Sequence, residues 1–151
     1  MKLSGTKVRS RSTATTVFFL VVALAACATR EPSPQLQSKK FETKPDQAVV
    51  YLYRDRPDFS RVVASLTLDG QGLGSLYPGT YFRLEIAPGT HRFAGFAGDS
   101  GVFEFTVAAG RLYFVRHTLS SLIGFERSVF FPVNEGQGRY AVLHYEYLGN
   151  H

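Results

Sequence analysis

The chain predicts an all-β fold, a small antiparallel β-sandwich, and three features of its 151 residues carry that expectation. From Gln47 onward the apolar residues recur at every second position, which is the repeat of a strand with one face on a core. Dipeptides that close or end strands follow one another at short intervals: Asp69-Gly70, Pro78-Gly79, Pro88-Gly89 and Ala109-Gly110. No window after Gln47 sustains the apolar stripe, with a repeat of about 3.6 residues, of an amphipathic helix.

The strands are expected in this order. "QAVVYLYR" (47–54) sets Val50 and Leu52 on one face and Val49, Tyr51 and Tyr53 on the other, so a strand buried on both sides suits it. "RVVASLTLD" (61–69) alternates Val62, Ala64, Leu66 and Leu68 with polar residues, and Asp69-Gly70 then closes a hairpin onto the short "LGSLY" (73–77). Pro78-Gly79 and Pro88-Gly89 bracket "TYFRLEI", placing Phe82, Leu84 and Ile86 inward and Tyr81, Arg83 and Glu85 outward. The repeated Pro-Gly-Thr therefore reads as the punctuation of a β-meander. "THRFAGFA" (90–97), a turn at Gly98-Asp99-Ser100-Gly101, "VFEFTVA" (102–108) with Phe103, Phe105 and Val107 inward, "RLYFVRH" (111–117) and "SVFFPV" (128–133) follow. "RYAVLHYEY" (139–147) completes the set as a strand, although a short terminal helix also accommodates Tyr140, Leu143 and Tyr147. About seven to nine short strands at this spacing imply a sandwich of the immunoglobulin-like or transthyretin-like kind over residues 47–151.

The N-terminal part reads differently. Lys2, Lys7, Arg9 and Arg11 precede the apolar run Val17–Ala26, the pattern of a secretory leader over residues 1–26. A membrane span needs about 20 apolar residues, and this run is too short. Leu24-Ala25-Ala26-Cys27 resembles a bacterial lipobox, in which a cysteine becomes the mature N-terminus and carries acyl chains such as palmitate. Lipidation is accordingly expected at Cys27. Residues 28–46 hold three prolines, several charges and Phe41 as the sole aromatic, so residues 27–46 are expected to form a lipidated, flexible linker.

Composition narrows the function. The net charge of +5 includes four basic residues of the leader and none of the 12 acids, leaving 13 basic against 12 acidic, or +1. A near-neutral body has no electrostatic footprint for a phosphate backbone, so nucleic acid is not an expected partner. One cysteine permits neither an internal disulfide nor a cysteine-based zinc site, and no motif calls for a cofactor.

"AVVYLYR", "LTLDGQGLGSLYPGTYFRLEIAPGTHRF" and "VAAGRLYFVR", in that order behind such a leader, resemble the DUF2846 family of bacterial lipoproteins over about residues 47 to 134. The D-G-x-x-x-G-x-L-x-P-G-x-Y block followed by P-G-x-H is its most specific part, and the same skeleton is similar to PEGA-type envelope modules. The resemblance implies a β-sandwich and supplies no catalytic residues.

Residues able to do chemistry are scattered. His91, His117, His144 and His151 lack the close spacing of a recognised metal site. Neither Gly98-Asp99-Ser100-Gly101 nor Leu119-Ser120-Ser121-Leu122 has the form of a nucleophile elbow. Glu85 and Glu104 fall on outward faces. "LSSLIGF" (119–125) stands out because Leu119, Leu122, Ile123 and Phe125 occupy what is expected to be a connection between strands. It is either a flap over the core or an interaction patch, rimmed by Arg116, Arg127 and the tyrosines 140, 145 and 147. The reading that follows is a non-catalytic binding or scaffolding lipoprotein of the cell envelope, anchored in the outer membrane and facing the periplasm, with an envelope protein or peptidoglycan as partner. The alternatives are a glycan-binding module stacking sugars on Tyr51, Tyr53 or the C-terminal tyrosines, and a periplasmic hydrolase built from His91, His117 and Glu104.

Overall fold

The computed structural model describes residues 31–58, 60–95, 101–122 and 125–150. The leader, Cys27, most of the turn at 98–101, and Ile123 lie outside the described residues. Residues from Pro32 onward form one compact unit. Its elements are α1 (Pro34–Ser38), β1 (Ala48–Arg54), β2 (Ala64–Leu68), β3 (Gln71–Leu76), β4 (Thr80–Ile86), β5 (Gly89–Ala94), β6 (Val102–Val107), β7 (Leu112–Leu122), β8 (Phe125–Val133), α2 (Glu135–His144) and β9 (Glu146–Asn150).

The nine strands make two sheets, ordered β8-β7-β1-β4-β9 and β3-β2-β5-β6, packed as a sandwich. Asp69 and Gly70 both take positive φ, 51° and 81°, as the two-residue turn between β2 and β3 requires. The Pro-Gly pairs do more than end strands. At Pro78-Gly79 the chain leaves the four-stranded sheet for β4 in the other, and at Pro88-Gly89 it returns for β5. A meander, in which successive strands pair, is therefore not what forms. Gly79 at φ 77° makes the crossing possible, its amide donating to the Arg54 carbonyl at 2.8 Å.

Pairing also departs from a purely antiparallel sandwich, because β1 runs parallel to β7 and β4 parallel to β9. Parallel neighbours need a crossover, and here the crossovers are the excursions through the second sheet and through α2. The sandwich core is built from Val50, Leu52, Leu66, Leu76, Phe82, Leu84, Phe93, Val115 and Leu119. Phe103 and Phe105 pack against it, and Val107 is buried within it, all as the alternation predicts.

A second apolar layer covers the other face of the five-stranded sheet. Val49, Tyr51, Tyr53, Tyr81 and Phe114 pack there against Phe41, Ala141 and Val142. Two expectations change as a result. Residues 34–46 do not form a tether: Ser33 caps α1 at the Leu36 amide, Ser38 Oγ lies 2.6 Å from Tyr81 Oη, and the Ser38 carbonyl accepts from Tyr51 Oη at 2.6 Å. The Phe41 ring sits 5.3 Å from that of Tyr51. Composition alone does not register this, because the partners of Phe41 and Ser38 lie far along the chain. Tyr81 and Arg83 are consequently buried rather than outward, and only Glu85 of that set is half-exposed.

The C-terminal segment is the second change. Asn134 accepts the Gln137 amide at 2.9 Å and starts α2, so 139–144 is helical and the strand begins only at Glu146. Among the described residues no helix is long and apolar enough to cross a membrane.

Candidate functional site: a tyrosine-walled cleft

Where β1 ends beside the middle of β7, beneath α2, strand alternation sends side chains to opposite sides. Tyr53 and Arg116, partners in the parallel register, project toward the helical layer, whereas Arg54 and His117, the next pair, project into the sandwich.

On the helical side these residues open a cleft of about 410 Å³, walled by Tyr53 and Arg116 from the strands, by Asp55 just past β1, and by Gln137, Tyr140 and Tyr145 from α2 and its end. Asp55 organises the floor. One carboxylate oxygen accepts from Tyr145 Oη at 3.2 Å and the other from Arg116 Nη1 at 3.4 Å. The Tyr145 hydroxyl in turn accepts the Arg56 amide at 3.2 Å. Arg116 lies 4.8 Å over the Phe131 ring, a cation–π contact that steadies the guanidinium. Burial, assisted by Asp55, pushes the Tyr53 hydroxyl up to about 12, and burial raises that of Tyr145 as well. Both remain protonated donors across ordinary pH.

Tyr140 is 67% exposed and stands at the rim. The His144 ring, one helical turn on, lies 4.3 Å from it and is fixed by a 2.7 Å bond from Nδ1 to the Tyr140 carbonyl. Nearby, Gln137 Oε1 accepts from Asn134 at 3.1 Å. The cleft thus combines one openly presented ring with planar polar groups of both donor and acceptor kind, around a mutually neutralising carboxylate and guanidinium.

On the sandwich side of the same two strands is a buried polar cluster. Arg54 is fully buried; it pairs with Asp58 and donates to the carbonyls of Val62 at 2.6 Å and Ser60 at 2.5 Å. Thr118 Oγ1 donates to Asp58 at 2.7 Å. His117 Nε2 lies 3.0 Å from Ser128 Oγ, and burial, followed by the Arg54 charge, depresses the imidazole to about 4. This cluster clamps Asp58, Ser60 and Val62 to the end of β1 and the middle of β7. Its serine is closed over, since a Cβ built on Gly95 would stand 2.2 Å from Ser128 Oγ.

The two described side chains of the anticipated patch, Leu119 and Phe125, meet opposite surroundings. Leu119 is buried in the sandwich core, whereas Phe125 is 77% exposed. The segment is not the long connection expected: β7 runs to Leu122 and β8 starts at Phe125, with the two paired in register. Arg116 belongs to the cleft, while Arg127 sits opposite Ser120 along the hairpin. Of the tyrosines considered as platforms, Tyr51 is fully buried, and Tyr53, Tyr140 and Tyr145 are brought together. His91 bonds Asp69 and the Ala87 carbonyl, and Glu104 lies opposite Arg92 on β6, so neither joins His117. Glu85 is engaged by Arg83 and Lys44 on the other sheet. Among the described residues no group of three potential ligands could hold a metal ion. Asp55 and Gln137 were not singled out in the sequence, where an aspartate before Arg-Pro and a glutamine between glycines read as loop polarity.

A family described as "Protein of unknown function (DUF2846)" matches residues 44–130. Its span includes Tyr53, Asp55 and Arg116 but stops short of Gln137, Tyr140 and Tyr145. No curated protein and no solved structure matches the chain.

Proposed function

We propose, for a chain that belongs to the DUF2846 family, the role of a lipid-anchored, non-catalytic binding module of the bacterial cell envelope. The cleft of Tyr53, Asp55, Arg116, Tyr140 and Tyr145 carries this reading, because it pairs an apolar wall with convergent polar groups at a size within the roughly 300–1,000 Å³ usual for ligand sites. The reading as a binder rather than an enzyme draws support from Asp55, whose two oxygens are engaged by Arg116 and Tyr145, and from Ser128, whose hydroxyl is covered by Gly95. Attachment rests on the Leu-Ala-Ala-Cys sequence ending at Cys27. Acyl chains there contribute about 0.8 kcal/mol per buried methylene, so two chains hold the protein on a membrane without a spanning helix. Ala28 after the cysteine, by resemblance to sorted lipoproteins, favours the outer membrane, with the module facing the periplasm.

The test has two arms. Mass spectrometry of the membrane-derived protein should find acylated Cys27 as the N-terminus, and an intact leader overturns the anchor. A benzophenone amino acid at position 137, on the cleft rim, should give reproducible adducts in living cells that one at Lys40 does not. Equal or absent labelling at the two positions overturns the binding role of the cleft.

A further inference from the structure

The geometry points to a saccharide as the ligand of this cleft, held by a C–H face stacked on the Tyr140 ring and by hydroxyls bonded to Arg116, Asp55 and Gln137. The inference rests on the binding role proposed above and adds the chemistry of the ligand.

Two properties of the cleft select this class. A pyranose is amphipathic by face: its axial C–H bonds form an apolar patch, and its equatorial hydroxyls form a polar rim that both donates and accepts. Tyr140 offers a ring that is 67% exposed and fixed in orientation by His144 and its own helix, so little freedom is lost when a flat C–H surface settles on it. Beside it are a guanidinium, a carboxylate and a primary amide, planar groups suited to the paired, adjacent hydroxyls of a sugar.

Charge decides against other ligands of similar size. Asp55 and Arg116 face each other at 3.4 Å, so neither stands alone to attract a phosphate, a carboxylate or an amine. A neutral polyhydroxylated molecule bonds both members of the pair without separating them. An extended peptide is disfavoured for a different reason. The backbones of Tyr53 and Arg116 already pair with each other and, on the far side, with Tyr81 and Phe131, so the cleft floor has no free strand edge to which a peptide could add.

The experiment uses the full chain purified in detergent micelles and saturation-transfer difference NMR. The probes are cellotriose, chitotriose and a muramidase digest of cell-wall glycan, with alanine- and glycine-rich tripeptides as counter-probes. The expected result is saturable transfer from the protein onto the ring C–H protons of at least one saccharide probe, lost in Tyr140→Ala and kept in Tyr140→Phe. Because Tyr140 is exposed, both variants should melt with the parent, and Gln137→Ala, also exposed, should weaken the same transfer. No saccharide transfer, transfer unchanged in Tyr140→Ala, or transfer confined to the tripeptides overturns the inference. Failure of the saccharide alone leaves the in-cell adducts at position 137 intact, whereas failure of the binding role abolishes both.

Discussion

A Cβ built on Gly138 would stand 2.2 Å from Cγ of Phe114 and 2.4 Å from its Cβ, so the backbone of α2 rests directly on that ring. The contact positions Tyr140 over the cleft. Rotating the Phe114 ring cannot relieve the clash, because its Cβ moves only with the strand. Gly138→Ala should therefore destabilise by about 1–3 kcal/mol, although the same change in an exposed helix gains up to about 1 kcal/mol. Urea unfolding measures it, and Phe114→Ala should recover part of the loss in the double variant. Additive losses would mean that the two residues do not meet.

Among the described residues, Asp58 is the one carboxylate paired with the fully buried Arg54, which also donates to the carbonyls of Val62 and Ser60. Its removal strands a charge away from water. Asp58→Ala should cost about 3–5 kcal/mol, far beyond the effect of Glu42→Gln in the exposed Lys40–Glu42 pair, which should stay within about 0.5 kcal/mol. Comparable losses in chemical denaturation would contradict the burial of Arg54.

His117 predicts a pH dependence. Burial lowers the imidazole from 6.5 to about 4, so between those values the unfolded chain binds the proton and the folded chain does not. Stability should accordingly fall by roughly 3 kcal/mol as pH drops from about 6.5 to about 4. His117→Gln should flatten the curve in that window. Asp69, whose carboxyl is held low chiefly by the His91 hydrogen bond, gives up its own contribution only below the ordinary carboxylate range, so the two effects separate. A parent and variant with parallel pH profiles would rule out a buried neutral His117.

The ends of the "LSSLIGF" segment should behave oppositely. Leu119→Asp places an unpaired charge in the sandwich core and should cost several kcal/mol, about 3 or more. Phe125→Asp, at a position 77% exposed, should change stability by no more than about 0.5 kcal/mol. Thermal melts of the two variants decide it, and a large loss for Phe125→Asp would place that ring under cover.

How far the sequence could be read follows from the range of the forces involved. Alternation along 48–54, 80–86 and 102–107 revealed strands and their sandwich-facing residues, because side-chain direction in a strand is a local property with a period of two. Asp69-Gly70 and Gly79 announced their turns for the same reason, since positive φ is a constraint on one residue. The tyrosines of the cleft were visible as candidates, but their meeting was not: Tyr53 and Tyr145 come together only once β1, β7 and α2 are stacked.

Local signals specified the strands, their turns and their inner faces. Assembly specified everything that depends on residues far apart in the chain: parallel pairing of β1 with β7, the burial of Phe41 and Tyr81, the seating of Gly138 on Phe114 and the Asp55–Arg116–Tyr145 floor. The physical reason is that "TYFRLEI" alternates equally well whether its second face meets water or a helix. Only the presence of Ser38, Phe41 and Val142 above the sheet makes that face an interior.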